Sequence, residues 1–231
     1  MKSVIAIGDV HGCFNTLMKL IEQFPKDVPL AFCGDLQDRG PRSMQVIDFV
    51  KNNNHACAKG NHEDLMVRAD YEYETSALWS MNGGDNTLVS YLKEDGKLDR
   101  DKLAEHRKWM KDLPLYIEFK DAKNDKGKYL VVSHSSIGKV WKWNEEKRKD
   151  HHDQFENVVM WGRLPPESAK GIYNIFGHTP HPVMDIRIKS FYANVDTGCC
   201  YGSEQHKLQG YGVLTALQFP EMKIFQQENI D

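Results

Sequence analysis

The chain has 231 residues, 40% of them hydrophobic and 27% charged, which is enough to bury a sizeable core without disulfide or metal staples. Thirty Lys+Arg against 33 Asp+Glu leave a net charge of −3, which gives no electrostatic case for binding nucleic acid or an anionic membrane. No apolar run approaches the ~20 residues of a membrane span, and the apolar start is cut off by Gly8, Asp9 and His11, too early for a signal peptide. The five cysteines have neither zinc-finger spacing nor an even count, so reduced thiols and a cytoplasmic setting are expected.

Lys2–Ile7 is apolar and β-branched and is expected to be a buried strand. Cys13–Phe24 places Leu17, Leu20, Ile21 and Phe24 on one helical stripe, and Pro25–Pro29 breaks it. Leu30–Cys33 follows as a strand, Ser43–Val50 as a helix and His55–Lys59 as a weaker strand. Strand–helix–strand–helix–strand in sixty residues implies parallel strands. Residues 61–112 are expected to be mostly helical, interrupted at Gly83–Gly84 and Gly96, and to form a helical cap (roughly 64–112) within one domain spanning 1–231. Leu115–Phe119 and Tyr129–Ser133 are expected to make a hairpin. Residues 139–157 are charged and aromatic and are expected to be a mobile surface segment. Tyr173–Phe176, Phe191–Val195, Gly212–Phe219 and Lys223–Gln226 complete the strands.

Each early strand ends in a polar cluster: Gly8-Asp9-Val10-His11-Gly12, then Gly34-Asp35-Leu36-Gln37-Asp38-Arg39-Gly40, then Gly60-Asn61-His62-Glu63. Asp9, Asp35 and Asn61 follow one another at intervals of 26 residues, one βα unit each, which places all three clusters at the carboxyl edge of one sheet. Two later strands end alike, in Ser133-His134 and in Gly177-His178-Thr179-Pro180. Asp9, His11, Asp35, Asn61, His134 and His178 thus converge. Carboxylate, imidazole and amide oxygen without thiolate suit hard or borderline divalent ions, and six such groups suit two metals sharing one carboxylate. Asp196, in Asn194-Val195-Asp196-Thr197-Gly198, is expected to be either a turn residue or one that lies just behind the site, and Glu63 to be a first-turn residue of the next helix.

The motifs GDVHG, GDLQDRG, GNHE, a strand-terminal His134 and GHTP, in this order, resemble the phosphoprotein phosphatase family of metallophosphoesterases, most like its compact phage lambda-type serine/threonine members. The resemblance implies an α/β fold, a calcineurin-like metallophosphoesterase β-sandwich flanked by helices. It implies that Asp9, His11 and Asp35 hold a first metal, that Asp35 bridges, and that Asn61, His134 and His178 hold a second; manganese is expected, with iron or zinc as alternatives. It makes His62 the general acid, Asp38 the carboxylate that orients it, and Arg39 and Arg163 the phosphate-binding pair. The activity implied is hydrolysis of phosphoserine or phosphothreonine in a phosphoprotein or phosphopeptide, by direct attack of a metal-bridging hydroxide. The alternative is a symmetrical dinucleoside-polyphosphate hydrolase, because Asn194–Gly202 and the later Leu214–Leu217 resemble members of that group. Gln37 and Ser135 depart from the pattern beside the metals, and His181 is expected at a pocket rim or on the surface.

Overall fold

The computed structural model describes residues 2–183 and 187–231. Two five-stranded sheets pack face to face. The first contains β1 (Val4–Ile7), β2 (Leu30–Phe32), β3 (Ala56–Cys57), β9 (Val213–Phe219) and β10 (Lys223–Glu228), in the order β10-β9-β1-β2-β3. The second contains β4 (Tyr116–Lys123), β5 (Tyr129–Ser133), β6 (Ile172–Phe176), β7 (Arg187–Ile188) and β8 (Tyr192–Asn194), in the order β4-β5-β6-β8-β7. β1, β2 and β3 are mutually parallel, as are β5, β6 and β8.

Alternation along the strands builds the layers. Val4 and Ala6 face Leu130, Val132, Tyr173 and Ile175 across the sandwich. Ile5 and Ile7 face the other way, into a cluster with Leu17, Leu20, Val46, Ile47 and Met66 from the helices α1 (Phe14–Ile21), α2 (Ser43–Asn52) and α3 (Asn61–Arg68). The central strands are covered on both faces, so they read as unbroken apolar runs.

Residues 73–111 form α4 (Tyr73–Trp79), a π-helical turn (Ser80–Gly84), α5 (Asp85–Ser90) and α6 (Arg100–Lys111). Gly83 and Gly96 have φ of 98° and 76°, which explains the interruptions at those residues. The β4–β5 hairpin is present, but β4 runs on to Lys123 past a register shift after Phe119.

Residues 139–157 differ from expectation. They fold into a 3₁₀ turn (Gly138–Val140), α7 (Glu145–Asp150) and most of α8 (His152–Trp161). Val140, Phe155 and Val159 are buried against Val131 and Ile172 on the outer face of the second sheet, with Trp141 and Trp143 packed beside them. Arg148 crosses this cluster, donating to Tyr116 Oη at 2.6 Å and to the Trp141 carbonyl at 3.1 Å. Two short elements absent from the sequence reading, β7 and α9 (Glu204–Leu208), complete the chain. Among the described residues no helix is long and apolar enough to cross a membrane, and all five cysteines are free thiols.

Candidate metal centre and its surroundings

The carboxyl edges of the two parallel strand sets meet, and the polar clusters lie along that seam. The backbone N–H of His178 donates to Asp9 Oδ2 at 3.0 Å, joining the end of β6 to the end of β1. Two glycines permit the approach: a Cβ on Gly177 would lie 1.9 Å from Asp9 Oδ1, and one on Gly60 would lie 2.3 Å from Asp35 Oδ1. Of the eight non-glycine residues with positive φ among the described residues, five are His11, Asp35, Asp38, Arg39 and His178. Left-handed backbone costs energy for such residues, so the strain is concentrated where the polar side chains converge.

Asp35 is the hub. It belongs to two buried trios of potential ligand atoms, His11–Asp35–His62 and Asp35–His134–His178. Its Oδ2 faces His11 Nε2 at 3.6 Å and its Oδ1 faces His134 Nε2 at 3.4 Å, one oxygen toward each trio. Asn61 Oδ1 lies 2.8 Å from His134 Nε2, which puts it in the second group. Asp9 joins neither trio by mutual distance, but its charge couples to those of Asp35 and Asp196.

Backbone carbonyls set the histidine tautomers. His11 Nδ1 donates to the Gln37 carbonyl at 2.8 Å and His134 Nδ1 to the Cys33 carbonyl at 2.9 Å. Each Nε2 therefore carries a lone pair directed inward. Burial lowers the pKa of His11, His134 and His178, the last to about 3, which favours their neutral forms. Burial drives the Asp9 carboxyl well up, with Asp196 and Asp35 adding to the rise. Burial would also raise Asp35, but the surrounding imidazoles hold it well below the usual carboxylate range.

This donor set fits divalent cations. His134 Nε2 faces Asn61 Oδ1, Asp35 Oδ1 and, at 3.1 Å, His178 Nδ1, so lone pairs converge. Asp9 Oδ1 is a buried acceptor without a hydrogen-bond partner. Like lone pairs and an unpaired buried acceptor of this kind are reconciled by positive charge between them.

His62 and Asp38 form a buried pair, with Nδ1 to Oδ2 at 2.6 Å. Burial alone would lower the pKa of His62; the Asp35 and Asp38 carboxylates outweigh it and the net shift is upward. Asp38 is in turn held by Thr87 Oγ1 at 2.6 Å and by Trp79 Nε1 at 3.0 Å, both from the helices after α3. Arg39 places Nη1 2.8 Å from His11 Nε2 and Nη2 3.1 Å from His62 Nε2, spanning the first trio. Arg163 lies on the opposite side, exposed, with Nη1 3.4 Å from the His178 carbonyl and 3.3 Å from Thr179 Oγ1.

Three residues have roles that sequence reading missed. Glu63 is fully buried, and instead of merely opening a helix it accepts backbone N–H bonds from Gly60 (2.7 Å), Asp35 (2.9 Å) and Leu36 (2.8 Å). It clamps the β2 and β3 loops together. Its position as the third residue of α3 signals only the local half of this, the contact with Gly60. Trp79 and Thr87 carry no motif. Asp196 is buried, and its Oδ1 accepts from Gly198 N at 2.9 Å, the turn role expected of it. His181 is buried and not on the surface, at the edge of a pocket that Ser135 also lines.

Residues 2–211 match the family model of the calcineurin-like phosphoesterases, and the chain belongs to that family. It is 31% identical, over 94% of this chain and 90% of the relative, to the bis(5′-nucleosyl)-tetraphosphatase PrpE [asymmetrical] of Anoxybacillus flavithermus. It is 28% identical, over 88% of this chain and 89% of the relative, to serine/threonine-protein phosphatase 1 of Salmonella typhimurium. Among solved structures, a protein serine/threonine phosphatase from Saccharomyces cerevisiae shares the fold with a TM-score of 0.58 at 14% identity, covering 99% of this chain and 80% of that one. The expected fold class, a calcineurin-like sandwich flanked by helices, is the one observed.

Proposed function

We propose that this enzyme is a metal-dependent hydrolase of bis(5′-nucleosyl) tetraphosphates. The expectation of a protein phosphatase gives way to its alternative, and the observation that carries the change is the similarity to PrpE over 94% of the chain. The name of that relative specifies asymmetrical cleavage, so the products proposed are a nucleoside triphosphate and a nucleoside monophosphate, not the two diphosphates of symmetrical cleavage.

Asp9, His11 and Asp35 would hold one divalent ion and Asp35, Asn61, His134 and His178 the other, with manganese the expected metal. Two bound ions would supply Lewis-acid polarisation of phosphoryl oxygens and an acidified water. The rest falls to side chains. Arg39 and Arg163 flank the seam from opposite sides, and their planar donor forks would bind non-bridging phosphate oxygens and orient the phosphorus. The Asp35 and Asp38 carboxylates raise the pKa of His62, which favours the protonated ring that would donate from Nε2 to the departing oxygen. Asp38, accepting from Nδ1, keeps that proton donor in place.

A second reading, a phosphoserine or phosphothreonine phosphatase, is favoured by the His62–Asp38 pair. A phosphate leaving group departs as a stable anion and gains little from an acid, whereas a serine alkoxide needs one. Turnover of diadenosine tetraphosphate, a phosphoserine peptide and a cyclic nucleotide, with products separated by anion exchange, tests both. ATP and AMP at the highest kcat/KM are expected. Two ADP would overturn the asymmetrical assignment, and preference for the peptide would establish the second reading.

A further inference from the structure

Beside the second trio lies a pocket of about 220 Å³. It adjoins the metal seam, since its lining residues Ser135 and Thr179 directly follow His134 and His178. Its apolar walls are Phe176 and Tyr192, rings stacked at 5.7 Å and 28°, with Pro165 and Pro166. Its charged lining is Arg163, which reaches back to the His178 carbonyl, and Arg187. The floor is tied down by Asn194 Nδ2 donating to the Thr179 carbonyl at 3.0 Å and by His181 N donating to the Asp196 carbonyl at 3.0 Å.

We propose that this pocket binds one nucleoside of a nucleotide substrate, its base against Tyr192 and the prolines and its phosphate chain running past Arg187 and Arg163 to the metals. This rests on the dinucleotide reading above and adds a place for the base. An aromatic and proline wall offers a flat apolar face to any base, and stacking is tolerant of base identity. Guanidinium groups at the same pocket match a chain of phosphates. The volume is below the ~300 Å³ at which pockets begin to enclose a whole drug-sized ligand, so it suits one nucleoside and not both.

The test compares calorimetric binding of β,γ-methylene-ATP and methylenediphosphonate to the metal-loaded enzyme. Both carry the P–C–P group and only one carries a base. The nucleotide is expected to bind about 10-fold tighter, the scale of one stacked base. Tyr192→Leu should erase that difference and leave methylenediphosphonate affinity unchanged, and Arg187→Gln should weaken the nucleotide more than the diphosphonate. On the unmodified protein, photolabelling with 8-azido-ATP should mark the peptides holding Pro165–Pro166 or Tyr192. Equal affinities in the wild type, a difference that survives Tyr192→Leu, or label placed elsewhere would overturn the pocket. Because nothing here requires turnover, a pocket that binds the base in an enzyme inactive on diadenosine tetraphosphate would stand while the dinucleotide reading fell. Turnover of that dinucleotide with no base contribution would do the reverse.

Discussion

The two sides of the metal seam are built differently. On the first-sheet side the carboxylates behind the site are braced: Glu63 takes three backbone N–H bonds, and Asp38 takes Thr87, Trp79 and His62. Arg39 is pinned as well, its N–H on the Gly83 carbonyl at 3.3 Å and its own carbonyl accepting from Asn86 at 2.6 Å. On the second-sheet side His134 and His178 are equally buried, but Arg163 is exposed, held by two long bonds, and opens on a pocket. Groups that meet developing charge gain most from being fixed beforehand, whereas a substrate-selecting surface must admit different ligands. Under the proposed function, one fold edge would thus carry a rigid half for bond cleavage and an open half for recognition.

The hardest blow to this contrast comes from the shared hub. Asp35→Asn keeps the shape but removes the only carboxylate that faces both trios among the described residues, and two cations this close repel without it. Metal content should fall from two per chain toward one and activity should vanish, while circular dichroism stays native because the apolar strands carry the fold. Two full equivalents of metal in the purified variant, by mass spectrometry, would show that the bridge is elsewhere.

His62→Asn tests the rigid half alone. Metals and substrate affinity should be retained. Turnover of a phosphoserine peptide should fall about 10²–10⁴-fold, the usual contribution of a general acid. The loss should be much smaller for p-nitrophenyl phosphate and for diadenosine tetraphosphate, whose leaving groups are stable anions. Equal losses on all three substrates would remove the acid role from His62.

Asp38→Asn sharpens the same point through pH. The Asp38 carboxylate helps raise the pKa of His62, so removing its charge lowers that pKa and the acid loses its proton at lower pH. The alkaline limb of kcat for an alkyl phosphate should move toward acid, with both metals kept. Thr87→Val, which removes one of the bonds holding Asp38, should weaken kcat by only about 10-fold and leave KM unchanged. A lost metal in Asp38→Asn would place this carboxylate among the ligands instead.

The smallest effect is expected far from the seam. Arg148 lies over the rings of Tyr116, Trp141 and Phe155 at 5.2–5.8 Å. Arg148→Ala should cost about 1 kcal/mol in urea unfolding and leave every kinetic constant alone. An unchanged midpoint would return residues 139–157 to the loosely attached surface segment suggested by their charge.

The six convergent polar groups and every strand but β7 were legible in the chain because both follow local rules. Buried parallel strands must be continuously apolar, sites of open α/β sheets form where such strands end, and glycine-flanked Asp, His and Asn recur there at one-βα-unit spacing. Phe155 and Val159, one helical turn apart, were with Val140, Trp141 and Trp143 the local sign that the charged stretch around them is anchored. What the tertiary structure alone decided depends on contacts between distant residues. Glu63 bonds Asp35 and Leu36 across 28 and 27 residues, and Trp79 and Thr87 reach Asp38 across 41 and 49. The assembly of Phe176, Tyr192, Pro165 and Arg187 around one cavity likewise follows from the pairing of β6 with β8 and of β8 with β7. Residue types and periodicity report which face a side chain takes on its own element. Which partner it meets is set only when the two sheets close on each other and bring their carboxyl edges together.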